Sequence, residues 1–128
     1  MKIAVTSLFV DDPVKAHKFY TEALGFETEE FVPDAQLAIV VSPEEPNGTS
    51  LLLEPRGDSF AKTYQENVYS AGLPIMVFSA SNIETTRRDL ASRGVKFRDD
   101  LAKPEWDLQN LFEDTCGNLL MLQDENKA

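Results

Sequence analysis

The chain has 128 residues, 42% of them hydrophobic, and a formal net charge of −10. This length predicts one domain with a sizeable core, and the negative charge argues against a nucleic-acid partner because phosphate backbones would be repelled. The sequence shows no apolar run of the ~20 residues that a membrane span needs and no signal-peptide zones at its N-terminus, so we expect a cytoplasmic protein without a membrane partner.

The first half of the chain predicts a strand, a helix and three more strands. Residues 2–10 are mostly apolar, as in a buried strand. Asp12 is a favoured N-cap and Pro13 a favoured first helical residue, so a helix is predicted to begin there and to end at Gly25. The further strands are predicted over residues 26–32, 35–42 and 49–54.

A connecting helix is predicted over residues 60–71. Phe60, Tyr64 and Val68 lie on one stripe of helical period, which favours packing or dimer contacts for the two aromatic residues.

The second half repeats the order of the first. A strand over residues 75–80 leads into a capping-box pattern from Ser81 to Glu84, and the helix that follows ends at Gly94. Further strands are predicted near residues 95–99, 108–113 and 118–124, and residues 124–128 are expected to fray.

Two matches at nearly the same offset indicate an internal repeat. Residues 5–25 correspond to residues 75–94, and residues 48–54 correspond to residues 117–123. A repeated unit that buries its face against a second copy explains both matches. We therefore predict an α+β fold in which two tandem βαβββ units form a curled mixed sheet, with the helices on its outer face. Residues 1–128 would form a single domain, comprising a first unit (1–57), a linker helix (58–73) and a second unit (74–126).

These motifs resemble the vicinal oxygen chelate superfamily, also called the glyoxalase/bleomycin-resistance/dioxygenase superfamily. The family's first strand and helix are similar to residues 7–12 (Ser-Leu-Phe-Val-Asp-Asp), 19–20 and 24–26. Its closing turn, commonly Asp-Pro-Asp-Gly-Asn, is similar to residues 112–118, and its second helix to residues 81–83 and 94–97. The resemblance covers nearly the whole chain and does not specify a reaction.

In the metal enzymes of this superfamily, four equivalent strand positions supply His or Glu to one divalent ion, which acts as a Lewis acid. The resemblance places these positions at Val5, Leu52, Ile75 and Met121. Hydrocarbon side chains have no donor atom, and a thioether suits Cu(I) rather than the harder ions of this family. We therefore predict no metal ion and no cofactor. His17, the only histidine, is expected to be a solvated helix residue.

Strand alternation predicts which side chains face the cleft of the curled sheet. They are mostly apolar, with a few hydroxyls, one carboxylate and one amide, which suits an uncharged or weakly cationic organic ligand with an aromatic part. The alternative is that they collapse into a dry core. The predicted cleft residues are Val5, Ser7, Phe9, Ser50, Leu52, Glu54, Ile75, Val77, Ser79, Leu119, Met121 and Gln123.

Trp106 lies in a predicted loop. It is expected either to cover the cleft and stack on a flat ligand or to serve as a partly buried loop anchor.

No catalytic residue is predicted. Glu54 would need a partner to act as a general base, and Cys116, the only cysteine, has no histidine near it in sequence. Arg56 and Arg98 are expected to be solvated charges, or rim charges that orient a ligand anion.

The leading hypothesis is a metal-free protein that binds a small organic molecule in its sheet cleft, as drug-sequestering relatives of the bleomycin-resistance type do. A second hypothesis is a metal-dependent lyase, isomerase or dioxygenase of the same superfamily with a displaced metal site. A third is a dimeric interaction module without a small ligand. A homodimer is expected in each case, because exposed sheet edges need cover.

Overall fold

A computed structural model describes residues 1–126 of the chain. The chain divides into two compact units, one formed by Met1–Gln65 and one that begins at Glu66. The arrangement of residues 1–128 as a single domain stays a prediction, and the predicted fraying of residues 127 and 128 lies outside the described part. Within residues 1–126, no helix combines the length and the apolar character that crossing a membrane requires.

The first unit contains four strands, and its first helix continues into a π-helical turn. In chain order its elements are β1 (Val5–Val10), α1 (Pro13–Lys18), the π-helical turn Phe19–Ala23, β2 (Glu27–Val32), the 3-10 turn Pro33–Ala35, β3 (Leu37–Val41) and β4 (Ser50–Pro55). The next helix, α2 (Phe60–Ser70), contains the boundary between the two units.

The start of α1 confirms the predicted cap. The Asp12 carboxylate accepts hydrogen bonds from the backbone N–H groups of Val14 (3.0 Å) and Lys15 (3.5 Å), and Pro13 occupies the first helical position. Two of the N–H groups that every helix leaves without an internal partner are thereby satisfied. The helical segment ends before Gly25, whose φ of +84° suits a residue without a Cβ.

The sheet of the first unit has the strand order β1-β4-β3-β2, with β1 parallel to β4 and the other pairs antiparallel. Helix α1 packs against β3 and β4. Alternate residues of the strands are buried on this side together with side chains of the helix. The buried set is Leu8, Val10, Ala16, Tyr20, Ala38, Val40, Leu51 and Leu53.

The second unit repeats this plan with a smaller sheet. Its main elements are β5 (Met76–Ala80), α3 (Ile83–Ser92), the 3-10 turns Asp99–Leu101 and Pro104–Trp106, β6 (Leu111–Glu113) and β7 (Leu119–Asp124). The strand order is β5-β7-β6, with β5 parallel to β7, and α3 packs against β7. Asn82 rather than Ser81 caps α3, because its side chain accepts a hydrogen bond from the N–H of Thr85 at 3.0 Å.

The strand registers agree with the internal repeat. In the first unit Ser7 pairs with Leu52, and in the second unit Val77 pairs with Met121. Each unit therefore joins its first strand to its last in parallel, with a helix between them in sequence. The prediction of an α+β fold built from two repeated units is confirmed, and the strands form two sheets.

The predicted strand near residues 95–99 is wrong. Only one bridge forms there, between Phe97 and Phe112, and the chain then turns into a 3-10 segment at Asp99. Two backbone hydrogen bonds flank this bridge, from Arg98 N to the oxygen of Leu111 (2.7 Å) and from Glu113 N to the oxygen of Lys96 (3.0 Å), and the pairing ends at the turn. The described part of the second unit therefore has three strands where the first unit has four.

The apolar stripe of α2 is not the buried side of the helix, although Phe60 makes one packing contact with the ring of Phe9; dimer contacts of Phe60 and Tyr64 stay a prediction. The helix buries Ala61 and Gln65, while Phe60 is 81% and Tyr64 52% exposed. The buried amide of Gln65 donates to the backbone oxygen of Phe9 at 2.7 Å. This polar anchor sets the rotation of the helix, which a pattern of apolar residues does not reveal.

The turn between β6 and β7 is organised by a buried carboxylate. Asp114 is fully buried, and its Oδ1 accepts from the backbone N–H groups of Cys116 (2.7 Å) and Asn118 (3.0 Å). Its Oδ2 accepts from the side-chain amide of Asn118 at 2.8 Å. Thr115 has a φ of +61° and Gly117 a φ of +99°, so the backbone curls around the carboxylate. The buried charge thus fixes the hairpin that places Met121 in its strand.

We expect Asp114→Ala to lower the free energy of unfolding by about 2–4 kcal/mol, because buried donors lose a charged acceptor. Urea unfolding monitored by circular dichroism measures the change. Glu66→Ala, which removes an exposed carboxylate from α2, is the matched control and should cost less than about 0.5 kcal/mol. Equal losses in the two variants would contradict this role of Asp114.

Candidate functional site

One face of the first sheet is turned away from α1, and we call it the open face. Strand β1 contributes Val5, Ser7 and Phe9, which pair in register with Ser50, Leu52 and Glu54 of β4. Partners in register point to the same side of a sheet. The structure therefore brings together all six residues of the first unit that were predicted from alternation.

Strand β3 widens the apolar centre of the open face. Ile39 pairs with Leu52 and Val41 with Ser50. Val5 is 53% exposed, Leu52 is half-buried, and Ser50 is buried. The face therefore presents hydrocarbon to its surroundings instead of closing completely into a dry core.

Carboxylates from β2 border this apolar centre. Glu27 pairs with Val41 and Glu30 with Ile39, and a β-bulge inserts Glu29 between those pairs. The hydroxyl of Ser50 donates to Glu29 Oε1 at 2.8 Å, so the bulge turns Glu29 toward the open face as well. Bulges re-aim side chains in this way. Strand alternation does not predict Glu29, because an inserted residue breaks the alternation without leaving a signal of its own in the sequence.

An aromatic pair lies next to Glu54 at one end of the open face. The ring of Phe9, the register partner of Glu54, meets the ring of Phe60 edge to face, with centroids 6.4 Å apart and planes at 88°. Glu54 is half-buried and has no ion-pair partner within residues 1–126. Strands β1–β4 contain no Lys or Arg, so the charge of this face is negative.

The predicted rim charge Arg56 is engaged elsewhere. Its Nη1 donates to the side-chain oxygen of Gln65 at 2.7 Å, and Gln65 in turn donates to the backbone of Phe9. Arg56 thus helps to anchor α2. The prediction that Arg56 is a solvated charge is wrong, because the buried side-chain oxygen of Gln65 needs a hydrogen-bond donor and Arg56 supplies it.

The predicted residues of the second unit also share one face of their sheet. Val77 pairs with Met121 and Ser79 with Gln123, while the N–H of Ile75 donates to the oxygen of Leu119 at 2.9 Å. Val77 is 44% exposed, Met121 is 8% exposed, and Ser79 and Gln123 are exposed. This face is therefore apolar near Met121 and polar toward the end of β7.

Arg98 lies in a polar network of the second unit. It forms paired hydrogen bonds to Asp100 (3.0 and 2.9 Å) and a contact of 2.5 Å to Glu113, which also accepts from the Tyr69 hydroxyl at 2.7 Å. Asp100 and then Glu113 raise the pKa of Arg98, and the hydrogen bond to Glu113 raises the pKa of Tyr69. Arg98 is therefore neither a freely solvated charge nor a free rim charge.

Trp106 lies in the turn Pro104–Trp106 and is 67% exposed. The ammonium of Lys103 sits 5.1 Å from the centre of its ring. The alternative of a partly buried anchor is therefore wrong, and the function of Trp106 as a lid stays a prediction.

The residues at the positions that the resemblance predicts for the family's metal ligands do not fit a divalent ion. Val5, Leu52 and Ile75 offer no donor, and Met121 offers a soft thioether. Within residues 1–126, no three His, Cys, Asp or Glu side chains come close enough to hold a metal ion. Cys116 is buried in the turn around Asp114.

His17 is a packing residue, contrary to the expectation of a solvated side chain. Its ring stacks on Phe31 with centroids 3.8 Å apart and planes at 5°, and its Nε2 lies 2.8 Å from the hydroxyl oxygen of Thr28. Desolvation lowers the pKa of His17, and Glu22 partly opposes this effect. The neutral imidazole thereby packs like an aromatic side chain between α1 and β2.

Comparison with known proteins shows the family of the chain. Residues 2–122 match the family model of the Glyoxalase/Bleomycin resistance protein/Dioxygenase superfamily, and the chain belongs to this superfamily. It is 42% identical over 124 residues to the uncharacterized protein YurT of Bacillus subtilis (strain 168), a match that covers 95% of this chain and 98% of YurT.

Solved structures share the fold at lower identity. UcmS2 is similar with a TM-score of 0.75 and 20% identity, over 98% of each chain. TnmS3, an antibiotic binding protein from Streptomyces sp. CB03234, is similar with a TM-score of 0.65 and 20% identity, over 97% of this chain and 95% of TnmS3. These two likenesses show a common fold.

The environment of His17 predicts a pH dependence of stability. The pKa is lowered in the folded state from 6.5, so the unfolded chain binds a proton at His17 more readily. The stabilisation is complete above the unfolded pKa and is lost as the pH falls toward the lowered folded pKa. Urea unfolding at about pH 7.5 and about pH 5.5 should show a smaller decrease in the free energy of unfolding for His17→Gln than for the wild type. Equal decreases in the free energy of unfolding for the wild type and His17→Gln would contradict this role of His17.

Proposed function

We propose that this protein binds a small organic molecule without the help of a metal ion, and that the open face of the first unit contributes the binding surface. The observation that carries the proposal is the composition of that face. It combines an incompletely buried apolar centre, an aromatic pair and several carboxylates, with no cationic side chain in its four strands. Small-molecule sites typically combine an apolar lining with a few placed polar groups.

The chemistry of the open face favours a flat aromatic amine. A protonated amine would pair with Glu54 in a charge-assisted hydrogen bond, and its ring would stack on Phe60, which is 81% exposed. Glu29, held by Ser50, would add a second negative charge on the other side of the apolar centre. A ligand anion would meet only carboxylates here and would be repelled.

The second unit supports the same function. Ile75, Val77, Ser79, Met121 and Gln123 share a face that combines apolar side chains with a hydroxyl and an amide, and we infer that this face also binds the ligand, with Trp106 available to stack on it. TnmS3, which shares this fold, is described as an antibiotic binding protein, and this supports the proposal. We also propose a homodimer in the cytoplasm, because edge strands such as β1 and β5 need cover.

Metal analysis distinguishes this proposal from an enzyme with a displaced metal site. Protein purified without a histidine tag should contain far less than one equivalent of zinc, nickel, manganese or iron by elemental analysis, because the family positions lack suitable donors. Added ions should not raise the melting temperature. Stoichiometric metal that survives dialysis would favour the lyase, isomerase or dioxygenase instead.

Ligand preference tests the chemical class. Tryptamine, a flat aromatic amine, should bind more tightly than tryptophol, its neutral alcohol counterpart, in isothermal titration calorimetry. Glu54→Gln should weaken the binding of tryptamine about tenfold by removing one charge-assisted hydrogen bond, and Phe60→Ala should weaken both ligands by removing the stacking surface.

Glu44→Gln is the matched control, since it neutralises an exposed carboxylate of the first unit outside the open face. It should leave the binding of tryptamine unchanged. Equal affinities for tryptamine and tryptophol, or an equal effect of Glu44→Gln and Glu54→Gln, would refute the amine preference.

A further inference from the structure

The second unit contains a cavity of about 320 Å³ beside the last residues of β7. The pairing of β6 with β7 stops at Leu111 and Met121, followed by one hydrogen bond of 3.1 Å from Leu122 N to Asn110 O. Gln123 and Asp124 continue past that point, paired with β5 alone. The unequal lengths of the two strands thus leave a space on the β6 side of β7.

The wall of this cavity is held in a defined conformation. Asp107 and Asn110 have φ values of +62° and +59°, a left-handed conformation that Asp and Asn adopt more readily than other side-chain-bearing residues. The loop is closed by two backbone hydrogen bonds between Lys103 and Leu108, of 2.6 and 3.1 Å. The Asn110 side-chain oxygen also accepts from Arg87 Nη1 at 3.2 Å, which ties the loop to α3.

The lining combines three kinds of side chain. Ile83 and Leu122 give an apolar floor, Asp107 and Asp124 are carboxylates, and the other polar residues are amides such as Gln109. None of the lining residues is cationic. Amides both donate and accept hydrogen bonds, so they suit hydroxyl groups, while the carboxylates suit a positive charge.

We propose that this cavity is a second binding site, which takes a small polyhydroxylated amine of the size of an amino sugar. The ammonium group would pair with Asp124, the hydroxyl groups would exchange hydrogen bonds with Gln109 and Gln123, and the carbon skeleton would cover Leu122. The volume lies at the lower end of the range for small-molecule sites, which suits one such ring. The site shares no residue with the open face, but it shares Met121 and Gln123 with the second-unit face described above. Glu54→Gln and Phe60→Ala test the proposed function, whereas Asp124→Asn and Gln109→Ala test this cavity, so the failures of the two proposals are distinguishable.

Titrations followed by ¹⁵N–¹H correlation spectra test the proposal. Glucosamine at about pH 6.5, where its amine is protonated, is compared with glucose, which has a hydroxyl in place of the ammonium group. We expect saturable shifts confined to Ile83 and to residues 107–110 and 121–126, with an affinity for glucosamine at least about fivefold higher than for glucose.

The variants locate the site. Asp124→Asn should weaken the binding of glucosamine at least about fivefold, and the exposed Gln109→Ala should weaken both sugars without affecting the fold. Glu105→Gln, an exposed carboxylate near the loop but outside the cavity, is the matched control and should change nothing. The proposal is overturned by the absence of saturable binding, by equal affinities for the two sugars, by shifts spread over the acidic surface, or by unchanged binding in Asp124→Asn.

Discussion

Each unit of this protein depends on the hydrogen-bonded pairing of its first strand with its last. The two strands run parallel, β1 with β4 and β5 with β7, and a helix follows the first strand of each pair. Because side chains alternate between the faces of a strand, a slip of one residue would exchange the two faces. Leu8 would then leave the core and Phe9 would enter it. The register therefore decides both what stabilises the unit and what the open face presents.

Buried polar groups keep these pairings in place. The amide of Gln65 binds the end of β1 through the backbone of Phe9, and the carboxylate of Asp114 closes the turn that leads into β7. Both groups are buried and hydrogen-bonded. Removing either one would leave buried polar groups without hydrogen-bond partners, which lowers the free energy of unfolding. Polar contacts at strand ends therefore complement hydrocarbon burial along the strands.

Periodicity predicts much of this architecture, and it fails where one contact outweighs a pattern. Alternation along residues 5–9 and 50–54 predicts which side chains share a face, and the Asp12–Pro13 cap predicts the start of α1. Periodicity does not predict the outcome at three places: the segment near residues 95–99, the buried side of α2 and the packing of His17. Each of these three features depends on a local turn or a tertiary contact. The strand ends at the 3-10 turn at Asp99, the hydrogen bond of Gln65 sets the rotation of α2, and His17 stacks on Phe31. The cavity beside β7 is equally invisible in sequence, since it arises from the unequal lengths of two strands.

The β-bulge at Glu29 has a consequence for association between chains. It lies in β2, an edge strand whose residues 27–30 include three glutamates, and an irregular, charged edge is a poor template for an incoming strand. The opposite edge, β1, has neither a bulge nor a charged residue. The bulge and the glutamates thus protect the β2 border of the first sheet against unwanted strand addition, a protection that the residues of β1 do not provide.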